Sequence, residues 1–155
     1  MRECGNVWPI VIVLYVMLGG ILAARAAGAL GVTALDSWPL AVRTGLALMF
    51  VFTGIAHFTR TRADLVRMVP PALPHPELLV TLTGIAELAG AIGLLIPPLA
   101  RASAWALAAM LVAMFPANVY ASRTAHTIGG RPHTPMIIRA PLQVLWIALL
   151  LWSAP

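Results

Sequence analysis

Three stretches of this chain contain no Asp, Glu, Lys or Arg: Cys4 to Ala24, Ala102 to Ser122, and Ala140 to Pro155. A helix needs about 20 mostly apolar residues to cross the hydrocarbon core of a bilayer. Runs of this length restrict the chain severely, because in lipid every backbone N–H and C=O must find its partner within the segment. Charged residues make up 10% of the 155 positions and hydrophobic residues 61%, with a mean hydropathy of +0.92. An average soluble domain is about 25% charged. So few charges cannot cover a soluble surface, which excludes an ordinary soluble enzyme and a disordered protein. The expected class is all-α: a polytopic membrane protein with a four-helix transmembrane bundle and an extra N-terminal transmembrane helix.

The apolar segments and their breakers predict five spans. The first runs from about 8 to 30, and with its connector it fills residues 1–37. The four-helix part, 38–155, holds spans at about 38–58, 77–96, 100–121 and 136–152. The first span is read as retained. Its competing reading is a cleaved leader, suggested by Arg2 and the Ala24-Arg25-Ala26 stretch. A short surface helix is expected over 64–69, followed by a break in the proline-rich segment 70–76. Pro97-Pro98 closes the third span.

All ten basic residues are arginines, and the net charge is +5. They fall mostly in short loops, which matches the positive-inside bias and not a basic face for nucleic acid. With the N-terminus inside, Arg2, Arg60, Arg62, Arg67, Arg123, Arg131 and Arg139 lie on the inner side. Arg25, Arg43 and Arg101 lie outside. The larger inner group predicts a multi-pass protein of the cell's inner (plasma) membrane, N-terminus cytoplasmic and C-terminus outside. Trp8, Trp38 and Trp152 stand at span ends, as an aromatic belt places them.

Glu87 is the informative exception to the scarcity of charge. It falls near the middle of the third span, where an ionised side chain costs at least about 2.5 kcal/mol. It must be protonated, paired, or facing a hydrated cavity. Leu78, Leu82, Ile85, Ala89, Ile92 and Ile96 form one stripe of that helix, suited to lipid or to packing. Thr83, Gly84, Glu87, Gly90 and Ala91 lie on the other face, so small residues surround the carboxyl. His57, Asn118, Arg139 and Gln143 can approach it from the inner half of the bundle. Pro116 and Pro141 are expected to kink their helices, freeing the carbonyls of Val112 and Ile137. The amides of Asn118 and Gln143 are candidate partners for those carbonyls. The candidate ligand-binding set is therefore His57, Glu87, Asn118, Arg139 and Gln143, around a polar pocket with Glu87 at its floor. Each has a plain structural alternative: a headgroup-level ring for His57, a snorkelling guanidinium for Arg139, and helix-to-helix bonds for Glu87, Asn118 and Gln143.

No catalytic set is recognised. Cys4 is the only cysteine, so no CxxC pair exists, and His126 and His133 in the last loop do not make a metal site. The string Thr53-Gly54-Ile55-Ala56 recurs as Thr83-Gly84-Ile85-Ala86, ahead of His57 and Glu87 respectively. In a chain so rich in small apolar residues this repeat alone does not establish a duplicated fold.

Several of these segments together carry a family resemblance. Phe52-Thr53-Gly54-Ile55-Ala56-His57-Phe58, Met68-Val69-Pro70 with Leu73-Pro74, and Gly84-Ile85-Ala86-Glu87 with Gly93 to Pro97 resemble the DoxX family in its DoxX-like branch. So do Phe115-Pro116-Ala117-Asn118 and Arg139-Ala140-Pro141-Leu142-Gln143. The resemblance runs from about residue 40 to 152 and implies a four-helix membrane bundle. By analogy with the family's namesake it implies a membrane subunit or binder of a small hydrophobic ligand, with quinone as cofactor and an oxidoreductase as partner. The bundle type is also similar to vitamin K epoxide reductase, whose chemistry needs a CxxC that this chain lacks. The rival expectations are a structural or assembly protein without ligand, and a small-solute transporter. The transporter reading is weakened by the absence of inverted repeats.

Overall fold

The structure is a computed structural model, and it describes residues 8–124, 127–128, 131–132 and 134–155. His126, His133 and Cys4 lie outside the described residues. Five long helices form where the apolar runs predict them: α1 (Trp8–Ala29), α2 (Trp38–Ala56), α4 (Pro76–Leu95), α5 (Pro97–Arg123) and α6 (Met136–Ser153). Each is long and apolar enough to cross a membrane. A short helix, α3 (Arg62–Met68), lies between α2 and α4. The backbone of Thr127–Ile128 pairs antiparallel with Arg131–Pro132 in the α5–α6 connection.

Local chemistry sets the helix ends. Ser37 caps α2, its hydroxyl accepting from the Leu40 N–H at 3.4 Å. Pro76 opens α4 after His75, whose φ of 52° turns the chain into the helix. Pro97 and Pro98 do more than close the third span: they begin α5, so Ile96 alone joins two antiparallel helices. Proline suits a first helical turn because its missing N–H would have had no partner there.

α2, α4, α5 and α6 form a ring in which each helix packs on the next, and α1 lies outside it against α2. Side chains facing away from the ring are large and apolar. On α4, Leu78, Leu82, Ile85 and Ile92 are all more than half exposed, which assigns that stripe to lipid. Trp8, Trp38 and Trp152 are likewise exposed at helix ends. The interior of the half where α2 begins and α6 ends is largely apolar: Val42, Leu46, Met49, Phe50, Leu94, Ala104, Leu107 and Leu150 form one buried cluster, and the buried Ser153 hydroxyl there donates to the Leu150 carbonyl at 3.3 Å. The opposite half carries most of the buried polar groups, as the site below shows. α3 covers that opposite end, with Met68 buried beneath it.

The α1–α2 contact depends on two glycines. A Cβ on Gly45 would fall 2.5 Å from the Met17 carbonyl oxygen, and one on Gly20 would fall 3.0 Å from the Gly45 Cα. In lipid, close backbone approach replaces the hydrophobic effect as the packing force. At the end of the same pair, Arg25 bonds Asp36 at 3.1 Å and lies 4.9 Å above the Trp38 ring. Gly45→Val is expected to separate α1 from α2 while leaving the ring folded, at a cost of about 1–3 kcal/mol. Disulfide cross-linking between cysteines placed on α1 and α2, compared with a pair on α4 and α5, checks this: only the first pair should lose yield.

Candidate functional site

The Thr-Gly-Ile-Ala strings meet where α2 and α4 cross. The helices run antiparallel, and each string packs its glycine against the other's functional side chain. A Cβ on Gly84 would lie 2.6 Å from the His57 Cβ, and one on Gly54 would lie 3.2 Å from the Glu87 Cβ. The two threonines repeat the exchange. Thr53 donates to Glu87 Oε2 at 2.5 Å, while the Thr83 hydroxyl lies 3.4 Å from His57 Nδ1. The repeat therefore works as a reciprocal clasp, with small residues giving the backbone approach and polar residues binding across it. Both central side chains are buried, His57 to 5% exposure and Glu87 to 4%.

The proton inventory follows from the partners. His57 Nδ1 lies 2.8 Å from the Val80 carbonyl oxygen. A carbonyl can only accept, so Nδ1 carries a proton and donates it. The other ring nitrogen, Nε2, faces Glu87 Oε1 at 3.6 Å. That is an ion-pair distance; closing it to a hydrogen bond of about 2.7–3.2 Å needs a shift of about half an ångström. One proton balances the pair, on Nε2 as imidazolium–carboxylate or on Glu87 as imidazole–carboxylic acid. Both forms are neutral overall. Removing that proton leaves a net negative charge inside the bundle, which the interior disfavours by at least about 2.5 kcal/mol.

Arg62, a residue the sequence reading placed only in a basic loop, borders this pair. Its guanidinium donates to the His57 carbonyl at 3.2 Å, to the Glu77 carbonyl at 3.1 Å and to the Thr81 hydroxyl at 2.8 Å. It thereby fastens α3 to the end of α2 and the start of α4, and it satisfies a carbonyl that the end of α2 leaves open. Its three bonds to neutral acceptors are not visible in any local motif, because they depend on how the 57–75 connection folds back.

Asn118 and Gln143 form a second polar seam, between α5 and α6. Asn118 Nδ2 donates to Gln143 Oε1 at 3.0 Å, and Gln143 Nε2 donates to the Leu111 carbonyl at 2.6 Å. The sequence offers the Val112 and Ile137 carbonyls to these two amides. The Gln143 amide instead takes the Leu111 carbonyl, next to Val112. Pro116 and Pro141 both lie inside their helices. Arg139 is half-buried near the start of α6, one turn before Gln143. The five candidate residues thus form two pairs on different seams, with Arg139 beside the second. An open hollow lined by His75, Pro76, Glu77 and Leu78 lies at the start of α4, away from Glu87.

Residues 46–154 match the family model described as "Domain of unknown function (DUF8561)", and the chain belongs to that family. The match starts within α2 and ends with α6, so it covers both polar seams and leaves α1 outside. No curated protein and no solved structure matches the chain.

The clasp and the second seam should respond differently to substitution. Gly84→Ala drives a methyl group into His57 and is expected to cost about 1–3 kcal/mol. Gln143→Leu removes two interhelical bonds, each worth about 0.6 kcal/mol in a bilayer, so its loss should be smaller. Thermal unfolding in one detergent, with both variants beside the parent, checks the order.

Proposed function

We propose that this DUF8561 protein is a DoxX-type membrane subunit that binds a small hydrophobic ligand with a polar head, of the quinone class. The ligand's carbonyl would accept a hydrogen bond from the proton that balances His57 and Glu87, and an oxidoreductase would be its partner. Asn118, Arg139 and Gln143 orient the ligand in this reading. One observation carries the proposal: His57 Nδ1 is fixed on the Val80 carbonyl, which leaves Nε2 turned toward Glu87 Oε1 at 3.6 Å. A pair that served only to hold helices would gain little from an ionisable acid, since threonine or asparagine bonds join helices at lower desolvation cost.

A second reading, a structural or assembly protein, is favoured by the Asn118–Gln143–Leu111 bonds. These satisfy one another and ask for no ligand. The transporter reading fares less well, because the buried apolar cluster from Val42 to Leu150 offers a solute no polar path through the other half.

The proposed setting is the cell's inner membrane, with α3 and the α5–α6 connection on the cytoplasmic side. A reporter fused after Pro155 should be active only in the outer compartment; activity in the cytoplasm overturns this orientation. For the ligand, wild type and Glu87→Gln are purified in parallel and their bound lipids and quinones weighed by mass spectrometry. Loss of one co-purifying species from Glu87→Gln, with thermal stability retained, is the expected outcome. Unchanged lipids with lost stability would favour the structural reading.

A further inference from the structure

We infer that the His57–Glu87 pair is a blind-ended proton inlet, exchanging protons with the compartment on the α3 side and sealed from the other. This rests on the proposed function, in which the pair's proton is exchangeable, and adds the side from which that proton comes.

The polar groups form a short line along α2 and α4. Thr83 meets His57, His57 faces Glu87, and Glu87 accepts from Thr53. The Thr53 hydroxyl lies within 3.2 Å of the Met49 carbonyl and 3.4 Å of the Phe50 carbonyl, and there the line stops. Met49 and Phe50 belong to the buried cluster, where they meet Leu46, Leu94, Leu107 and Leu150. Along α2 that plug extends from Val42 to Phe50, about 12 Å of helix at 1.5 Å per residue. A bare proton or hydronium crossing such a layer would bear the Born penalty of an ion without partners, tens of kcal/mol.

The other end of the line is built differently. His57 caps the C-terminal end of α2, and α3 follows it in the chain. Thr61, Arg62, Thr81 and Thr83 are all only half-buried there. Arg62 links the His57 carbonyl to Thr81 through neutral oxygens, so polar groups continue from the pair toward the α3 face. Water can follow such groups where it cannot follow Leu and Phe.

The remaining ionisable side chains have definite places. On α3, Arg62 is nearest, and Asp64 and Arg67 pair with each other at 3.5 Å. Arg60, between α2 and α3, is exposed, α4 adds His75 at its N-cap and Glu77 in its first turn, and α6 adds Arg139 near its start. α5 carries Tyr120 and Arg123 near the α3 end and Arg101 at the other. On α1, Tyr15 is exposed, while Arg25 is held by Asp36. Arg43, on α2, lies within the Val42–Phe50 stretch itself, half-buried, with its Nε buried and without a hydrogen-bond partner among the described residues. No acid among the described residues stands between Glu87 and the far compartment along the bundle interior.

The test uses the full chain in sealed vesicles, sorted for orientation by a cleavable tag after Pro155, which marks the end opposite α3. The Glu87 carboxylic acid band is isolated as the infrared difference between wild type and Glu87→Gln. The pH is then changed on one side at a time. Raising it on the α3 side should lower the band several-fold, and raising it on the other side should leave the band unchanged. A band that follows the far side, or both sides equally, overturns the inference while the exchangeable pair survives. A band that follows neither side shows a sealed pair and overturns the inference together with the exchangeable proton it rests on.

Discussion

The bundle depends on burying a carboxyl in its middle without leaving a naked charge. Glu87 stands in a helix that faces lipid on one side and packed neighbours on the other. An unpaired carboxylate there would consume a large share of the roughly 5–15 kcal/mol by which proteins are stable. The solution is a neutral pair, His57 with Glu87, held between two glycines that allow α2 and α4 to touch. The ring orientation follows from the Val80 carbonyl, the carboxyl orientation from Thr53, and the position of α3 from the Arg62 bonds to the same helix ends. Packing, hydrogen bonding and charge balance are therefore one arrangement, and a change at Gly84 disturbs all three.

The molecule is polar in one half and apolar in the other. Both polar seams lie in the half where α2 ends and α6 begins, and the interior of the other half is mostly aliphatic and aromatic. This division suits a site that receives a ligand or a proton from one side. It suits a conduit poorly, since a conduit needs polar groups along its whole length. α1 contributes to neither seam; it packs on α2 through Gly20 and Gly45 and lies outside the family match, consistent with an added element on a four-helix unit.

Much of the fold was legible in the sequence because lipid imposes a strong, local rule. Charge-free runs of about 20 residues leave little choice but helix, and proline and arginine mark the ends. The boundaries that shifted did so for local reasons: Pro97-Pro98 stops α4 and starts α5 at once. The lipid face of α4 was visible in its periodicity, and Glu87 in its rarity. Which of its four candidate neighbours meets Glu87 was not. The repeat of Thr-Gly-Ile-Ala at positions 53 and 83 signals the clasp only once α2 and α4 are known to cross antiparallel. Composition alone generates such repeats by chance. Arg62 was hidden for a similar reason, since its partners are backbone oxygens from distant segments. The prolines marked the stretch of α5 where the Gln143 amide binds, but its acceptor is the Leu111 carbonyl and not Val112 or Ile137.

The central claim is that His57 keeps one proton on Nδ1 and shares a second with Glu87. Nitrogen-15 NMR of ring-labelled histidine, in the protein reconstituted in lipid, tests it directly. The account predicts a His57 Nδ1 that stays protonated across the pH range. It also predicts an Nε2 signal that moves in Glu87→Gln and stays in place in Gln143→Leu. An unprotonated Nδ1, or an Nε2 indifferent to Glu87→Gln, would contradict it.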